Sequence, residues 1–402
     1  MTKLCRVCKA ELNKPAVVLE NMPLTDDFIS VGNPDRKEFL SDIRIFECQY
    51  CGSVQNPDDF DHEGYYRDYQ YTSGHSSFVQ SFMQKFAKVI CDNFERLNKR
   101  LPVSVLEIGS GDGAQLKQFK ALAVPRVLGI EPSELLAQVA IDSGIPTQVD
   151  LFGAHTNEKL GETFDTCMSS YTLDHVRNQI EYLQAAYSLL NDNGLLVYEV
   201  HDLEKIIKRT EYCLFEHEHT IYLNYYNAAN LLKSNGFELV AINPLLEQET
   251  RGNSLIVIAQ KKYLNDNTDK SAKFVFKPQL SRLSEDIKAT ISRIDTWVSS
   301  IPEPVELVGF GAGGRGIMTL AALNTSKRFK ALFDSNYTSG RYLTPKTRIP
   351  IHGPESWSDF SGAYCLVFSF GYIEEITKQL CEKGFSQEKI VPLSAFFPTH
   401  GA

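Results

Sequence analysis

No stretch of about 18 consecutive apolar residues occurs in the chain, so no membrane-spanning helix is expected. The first ten residues lack the apolar core of a secretory leader, which makes the cytoplasm the expected location. Positive charge is not in surplus. The 41 Lys and Arg against 50 Asp and Glu leave −9 at neutral pH, so neither nucleic acid nor an anionic membrane is an expected partner. The cysteine count, nine, is odd; without an export signal it points to a reducing compartment and to metal binding rather than disulfides. What is present is ordinary for a folded protein, with 43% hydrophobic and 23% charged residues. At 402 residues the chain is too long for one typical core, and two or three domains are expected.

Four of the cysteines form two C-x-x-C pairs, Cys5/Cys8 and Cys48/Cys51. Each pair can present two thiolates to one metal through a tight knuckle, and two knuckles complete a tetrahedral structural zinc site with no open position for catalysis. The intervening residues 9–47 contain strand-like pieces, Ala16–Leu19 and Ile43–Cys48, so the ion would staple a small β-rich module. A redox reading is weaker, because no βαβ pattern surrounds either pair.

The stretch Val105-Leu-Glu-Ile-Gly-Ser-Gly-Asp-Gly113 reads as a buried strand running into a glycine loop, with a helix over Ala114–Ala121 behind it. A glycine loop at the C-terminal end of a parallel strand lets the backbone approach a ligand closely. A dinucleotide site would show G-x-G-x-x-G; here the spacing is G-x-G-x-G, preceded by the acid Glu107. That pattern resembles motif I of class I S-adenosylmethionine-dependent methyltransferases. The resemblance implies that Glu107, Gly109, Ser110, Gly111 and Gly113 meet the cofactor's charged ammonium and carboxylate. The next strand, from Arg126, ends in Glu131, 18 residues beyond Gly113 and placed for ribose hydroxyls. Further on, the run from Phe164 to Val176, a strand and its C-terminal loop, and the run from Asn191 to His201, a turn and a buried strand, deliver polar groups to the same sheet edge. Ser170 and His175 are assigned to the cofactor and His201 to substrate. The turn Asn191–Gly194 precedes the last of these strands.

Residues 61–82 concentrate tyrosines and hydroxyls, including Tyr69, Tyr71 and Ser73. They suit a polar ligand such as a sugar, or equally a polar linker packed on the next domain. Phe78, Phe82, Phe86, Val89 and Ile90 follow at helical spacing and read as core. The run Phe215-Glu-His-Glu-His-Thr-Ile-Tyr222 is not H-E-x-x-H; a metal, a general base and a solvated cluster all remain open readings. A helix over Ala228–Ser234 and a strand over Phe237–Ile242 precede Arg251-Gly-Asn-Ser254. After a polar stretch at 263–272, a long helix Gln279–Ser300 leads into a second strand–glycine turn–helix, with Gly309, Gly311 and Gly314 spaced G-x-G-x-x-G and Asp334 20 residues on. A nicotinamide or flavin dinucleotide and the diphosphate of a nucleotide-sugar are both compatible with that turn.

In this order the segments resemble the S-adenosylmethionine-dependent sugar C-methyltransferases of deoxysugar pathways. The resemblance covers nearly the whole chain and implies an α/β fold: a zinc-binding β module over 1–70, a class I methyltransferase Rossmann-like sheet over 71–262, and a second Rossmann-like, substrate-binding domain over 263–402. The implied cofactors are S-adenosyl-L-methionine and structural Zn²⁺, the partner a nucleotide-sugar, and the assembly a monomer or homodimer. In that family a base removes the proton beside the ketone of a nucleotide-linked 4-keto sugar, and the enolate carbon takes the methyl group. Carried onto this chain, His219 is the base, Glu218 its orienter or a substrate contact, and Tyr71 a donor to the enolate oxygen. Glu216 falls in the same catalytic run, while Tyr69, Ser73, Arg251, Asn253, Arg315 and Arg341 are assigned to substrate.

Two positions depart from the family pattern. Glu216 stands where members commonly carry Tyr, and Phe368-Ser-Phe-Gly371 stands where they carry a Pro-Trp-Asn-like run. A carboxylate beside developing negative charge is unfavourable unless protonated or turned away. O- or N-methylation of another small metabolite is therefore the alternative, followed by a non-catalytic zinc-containing scaffold.

Overall fold

Alternation of apolar strands with glycine turns and amphipathic helices dictates open α/β sheets, and two are found. The computed structural model describes residues 2–59, 77–262, 279–370 and 373–398. It divides into two units that do not follow the chain as consecutive blocks. The first comprises Met1–Asn13, Cys48–Leu203 and His219–Lys277, the second Lys14–Glu47, Glu204–Glu218 and Pro278–Ala402.

The first unit is built on a seven-stranded sheet. Its order is Phe237–Ile242, Leu255–Lys261, Leu190–Val200, Phe164–Ser170, Ser104–Ile108, Arg126–Glu131 and Thr147–Val149. Leu255–Lys261 pairs antiparallel with both of its neighbours, and the remaining pairings are parallel. Ser104–Ile108 is buried along its whole length, polar Ser104 and Glu107 included, as befits a central strand of a parallel sheet. The order reverses between Ser104–Ile108 and Phe164–Ser170, and a ligand of such a sheet binds at the carboxyl ends of the strands that flank the reversal. Glu107, the glycine loop and Ser170 all lie there.

Helix Ser77–Asn98 buries Val79, Phe82, Phe86, Ile90 and Phe94 along one stripe, with the Phe82 and Phe86 rings 5.4 Å apart. Each such side chain contributes about 1.5–3 kcal/mol by leaving water. Asn191–Gly194, read as a turn, is carried inside the strand Leu190–Val200. The ladder with Phe164–Ser170 shifts register there and Asn193 takes φ 58°, which a short polar side chain tolerates.

The second unit holds a five-stranded parallel sheet in the order Ile351–His352, Phe329–Phe333, Leu307–Phe310, Tyr364–Val367 and Ile390–Pro392. Its reversal falls beside Leu307–Phe310, at the second glycine turn. The insert between the cysteine pairs forms the antiparallel strands Val17–Pro23 and Leu40–Glu47. It reaches the distal half of the chain through Ile29–Ser30, which pairs with Tyr342–Leu343. That long-range pairing is why residues 14–47 cluster with the C-terminal unit. The long helix runs Leu283–Ser300, four residues shorter at its start than expected. Among the described residues no helix is long and apolar enough to cross a membrane.

Candidate active site and zinc centre

The two cysteine pairs fold into matching knuckles. Cys5 O accepts from Lys9 N at 3.0 Å and Cys48 O from Gly52 N at 2.8 Å. Lys9 and Gly52 both adopt left-handed backbone, with φ 63° and 70°. The four sulfurs converge: Cys5 Sγ lies 3.6 Å from Cys51 Sγ, and Cys8 Sγ 3.6 Å from Cys48 Sγ. A tetrahedral zinc with bonds of about 2.3 Å separates its sulfurs by about 3.8 Å, so the four residues fit the ion. Hydrogen bonds from Cys48 and Cys51 hold the Cys5 thiol far below its ordinary range. Gln55 Nε2 donates to the same sulfur at 3.1 Å. The cluster holds structural zinc.

The first glycine loop is shaped by its neighbours. Gly109, Gly111 and Gly113 all have positive φ, at 71°, 52° and 74°. A Cβ on Gly109 would collide with Thr172, whereas one on Gly111 would meet nothing within 4 Å among the described residues. Glu131 braces it, accepting from Gly111 N at 2.7 Å and Ser133 N at 2.9 Å. Each carboxylate oxygen retains acceptor capacity for a ribose hydroxyl. The Ser110 hydroxyl lies against Gly129. Glu107 is 3% exposed, and its Oε2 has no hydrogen-bond partner among the described residues. Burial raises its pKa well above the usual range, with Asp112 and Glu131 adding to the rise and Arg251 opposing it. A buried, unmatched carboxyl beside the glycine loop fits a ligand bearing an ammonium group, which is what S-adenosylmethionine presents. Ser170 Oγ is likewise buried without a hydrogen-bond partner among the described residues.

At the neighbouring strand ends, three imidazoles gather on one acid. Asp174 is 2% exposed, and its Oδ2 lies 3.1 Å from His201 Nδ1 and its Oδ1 3.9 Å from His175 Nε2. The His219 ring is 4.7 Å from that of His201 and 4.8 Å from that of His175. Burial alone would raise the Asp174 pKa, but His175, His201 and His219 together outweigh it and hold the carboxyl well below its usual range. Asp174 also tethers the histidine run through the main chain, its O accepting from Thr220 N at 2.7 Å. Tyr171, with φ 48°, turns its ring against His201 at 4.7 Å. Such strained backbone is held only where packing over-determines it.

Arg251 is ion-paired with the fully buried Glu199 and packs between the Phe82 and Tyr171 rings, at 4.7 and 5.0 Å. Ser254 Oγ donates to Glu199 at 2.6 Å, and Asn253 Oδ1 accepts from Asp202 N at 2.6 Å. Both Arg251 and Asn253 are therefore engaged in holding the sheet end together.

In the second unit, Glu216 and Glu218 form a buried acid pair, with Thr25 Oγ1 3.0 Å from Glu218 Oε1 and 3.4 Å from Glu216 Oε2. Burial, then the negative charge of Glu218, raises the Glu216 pKa well above its usual value. The Glu216 carboxyl faces Gly314, the first residue of the helix Gly314–Ala322. The anion position at that helix start is thus taken by the chain itself, and a diphosphate at Gly314 would meet a carboxyl group. Phe368 fills the space over Gly309. Asp334 accepts from Ala312 N at 2.9 Å, as Glu131 does from Gly111, so an acid braces each glycine turn. His217 Nε2 contacts Met22 O at 3.0 Å. Arg315 lies 3.9 Å from Glu211 and over the Phe370 ring; Arg341 is exposed.

The structure thus brings His175, His201 and His219 together, and separately Glu216 with Glu218. Tyr69, Tyr71, Ser73 and Gly371 lie outside the described residues. Asp174 and Tyr171 are not among the residues singled out from sequence. Asp174 had one readable signal, an acid next to a histidine in a loop at a strand end; Tyr171 had none.

Three family models match consecutive parts of the chain: "Putative zinc binding domain" over residues 5–66, "Methyltransferase domain" over 79–242, and "C-methyltransferase C-terminal domain" over 250–392. The chain is 23% identical to C-methyltransferase NovU of Streptomyces niveus over 400 residues, covering 94% of this chain and 93% of that protein. Among solved structures, the plantazolicin methyltransferase BpumL in complex with SAH is similar at 16% identity and a TM-score of 0.36, covering 46% of this chain and 84% of that one. The magnesium protoporphyrin IX methyltransferase of Synechocystis PCC 6803 is similar at 16% identity and a TM-score of 0.34, covering 49% and 88%.

Proposed function

From the membership of this chain among the S-adenosylmethionine-dependent methyltransferases that carry an N-terminal zinc-binding domain and a C-terminal C-methyltransferase domain, we infer that it methylates the carbon beside the ketone of a nucleoside-diphosphate 4-keto deoxysugar. The observation that carries this reading is the imidazole cluster around Asp174 at the carboxyl edge of the methyltransferase sheet. A C–H beside a carbonyl is acidic enough for a positioned imidazole to remove its proton. His219 is that base. It takes the proton, the C–H electrons pass into the enolate, and hydrogen-bond donors stabilise the oxygen. Glu107, the Gly109–Gly113 loop, Glu131 and Ser170 would hold S-adenosylmethionine. Bound there, it supplies a methyl group on a positively charged sulfur, which an electron-rich carbon accepts.

The test is proton exchange. In heavy water with a 4-keto sugar nucleotide, the wild-type protein incorporates deuterium beside the ketone, followed by NMR, and His219→Ala does not. Undiminished exchange in His219→Ala would overturn the base assignment. Glu216 favours a second reading, methyl transfer to oxygen or nitrogen of another small metabolite, because it stands where a Tyr donor is common in the family. NMR of the methylated product distinguishes the two.

A further inference from the structure

We propose that Asp174 is the positioning residue of the proton-abstracting site, acting on His219 through His201. The proposal rests on the reading of His219 as base. Asp174 Oδ2 and His201 Nδ1 are 3.1 Å apart, and one polar atom from each of Asp174, His201 and His219 lies within 4.8 Å of the others. All three are shielded: the side chains of Asp174 and His201 are 2% and 16% exposed, and His219 is buried. A carboxylate accepting from Nδ1–H selects one imidazole tautomer and frees Nε2 for the opposite side of the ring. The His201 ring then backs the His219 ring at 4.7 Å and 45°, while Tyr171 packs against His201.

The main chain adds to this. Thr220 N donates to Asp174 O at 2.7 Å, the Thr220 hydroxyl donates to Val176 O at 2.6 Å, and Gln179 Nε2 donates to that hydroxyl at 2.7 Å. One loop therefore fixes both the backbone that carries His219 and the charge beside it. When His219 takes the proton from carbon, an imidazolium forms in a buried site. The Asp174 carboxylate is the negative charge in that cluster that stabilises it. Among the described residues, the titratable groups recorded against the cluster are Asp174, His175, His201, His219, Tyr171 and Tyr222. Asp174 is the acid among them, so its removal has one sign: the imidazolium becomes less stable.

The experiment compares full-length zinc-loaded wild type with Asp174→Asn, Asp174→Glu, His201→Asn and the Asp174→Asn/His201→Asn pair. It uses S-adenosylmethionine and a 4-keto sugar nucleotide as probes. Asp174→Asn is expected to lower kcat by about 100-fold or more with KM for S-adenosylmethionine unchanged, as loss of a tautomer-fixing acid does elsewhere. The acidic limb of its pH profile moves to lower pH, and Asp174→Glu recovers part of the rate. The double variant loses no more than the worse single one, because the two residues act as a unit. Nitrogen NMR of the resting protein, which needs no turnover, shows His201 protonated at Nδ1 in the wild type and not so fixed in Asp174→Asn. An unmoved pH limb, additive losses, or the same His201 tautomer in Asp174→Asn would each overturn the proposal. If Asp174→Asn does not fold, His201→Asn carries the test: kcat falls with KM for S-adenosylmethionine unchanged, and an undiminished kcat overturns the proposal. Retained deuterium exchange in His219→Ala is the separate result that removes the base reading itself.

Discussion

The carboxyl group of Glu216 lies over Gly314, where a Cβ on that glycine would stand. Burial, then the negative charge of Glu218, raises the pKa of this acid well above its usual value. A folded-state pKa raised above the unfolded value contributes stability that is fully present below the unfolded value, near 4.5, and is lost as pH rises through the folded one. Glu216→Gln removes the titration and keeps the shape. Its Tm relative to wild type should rise as pH increases from 4 toward 8. A gap that stays constant across that range would show that Glu216 does not titrate abnormally.

The same contact means that a Cβ at Gly314 has to displace the buried Glu216 carboxyl. Gly314→Ala should cost about 1–3 kcal/mol, the usual penalty of overpacking, read as a lower denaturation midpoint. Gly111→Ala meets no neighbouring atom among the described residues, so its expected cost is the strain of φ 52°. Equal losses at the two glycines would contradict the packing described.

Glu107 is the cofactor loop's unmatched carboxyl. Glu107→Gln should weaken S-adenosylmethionine by about 10-fold or more in calorimetry, since a hydrogen bond to a charged group contributes about 1.5–3 kcal/mol. The unliganded fold should be no less stable, because the variant relieves a buried acid. Unchanged affinity would move the ammonium site elsewhere.

Arg251 and Glu199 are a buried ion pair. Arg251→Ala leaves Glu199 uncompensated and should cost about 3–5 kcal/mol. Adding Glu199→Gln should return much of that stability in a denaturant titration. If the double variant is no better than Arg251→Ala, the loss is one of packing against Phe82 and Tyr171 rather than of charge.

The zinc centre makes its own prediction. Cys8→Ser or Cys48→Ser should release one equivalent of zinc per chain, measured by metal analysis, and lower Tm. Substitution of the non-cluster, exposed Cys381 should do neither. Zinc retained at full stoichiometry in both cluster variants would exclude four-thiolate ligation.

Elements whose residues alternate or repeat with a local period are readable from the chain alone: the helices Ala114–Ala121 and Ser77–Asn98, the strand Arg126–Glu131, both glycine turns and the two C-x-x-C knuckles. Their signals are short-range, arising from backbone freedom at glycine, from helical spacing of apolar residues and from the fixed bite of two thiolates. Which distant residues meet is not encoded in any local period. Only tertiary packing put Asp174 beside His201 and His219, since these come from three different strand-end segments. Packing also sent Ile29–Ser30 to Tyr342–Leu343, dividing the N-terminal stretch between two units. It set Glu216 at the start of a helix about a hundred residues further on. Both glycine loops lie between a strand and a helix, and their sequences differ in spacing, G-x-G-x-G against G-x-G-x-x-G. Packing adds a second difference: among the described residues nothing stands over Gly111, whereas over Gly314 stands the carboxyl group of Glu216.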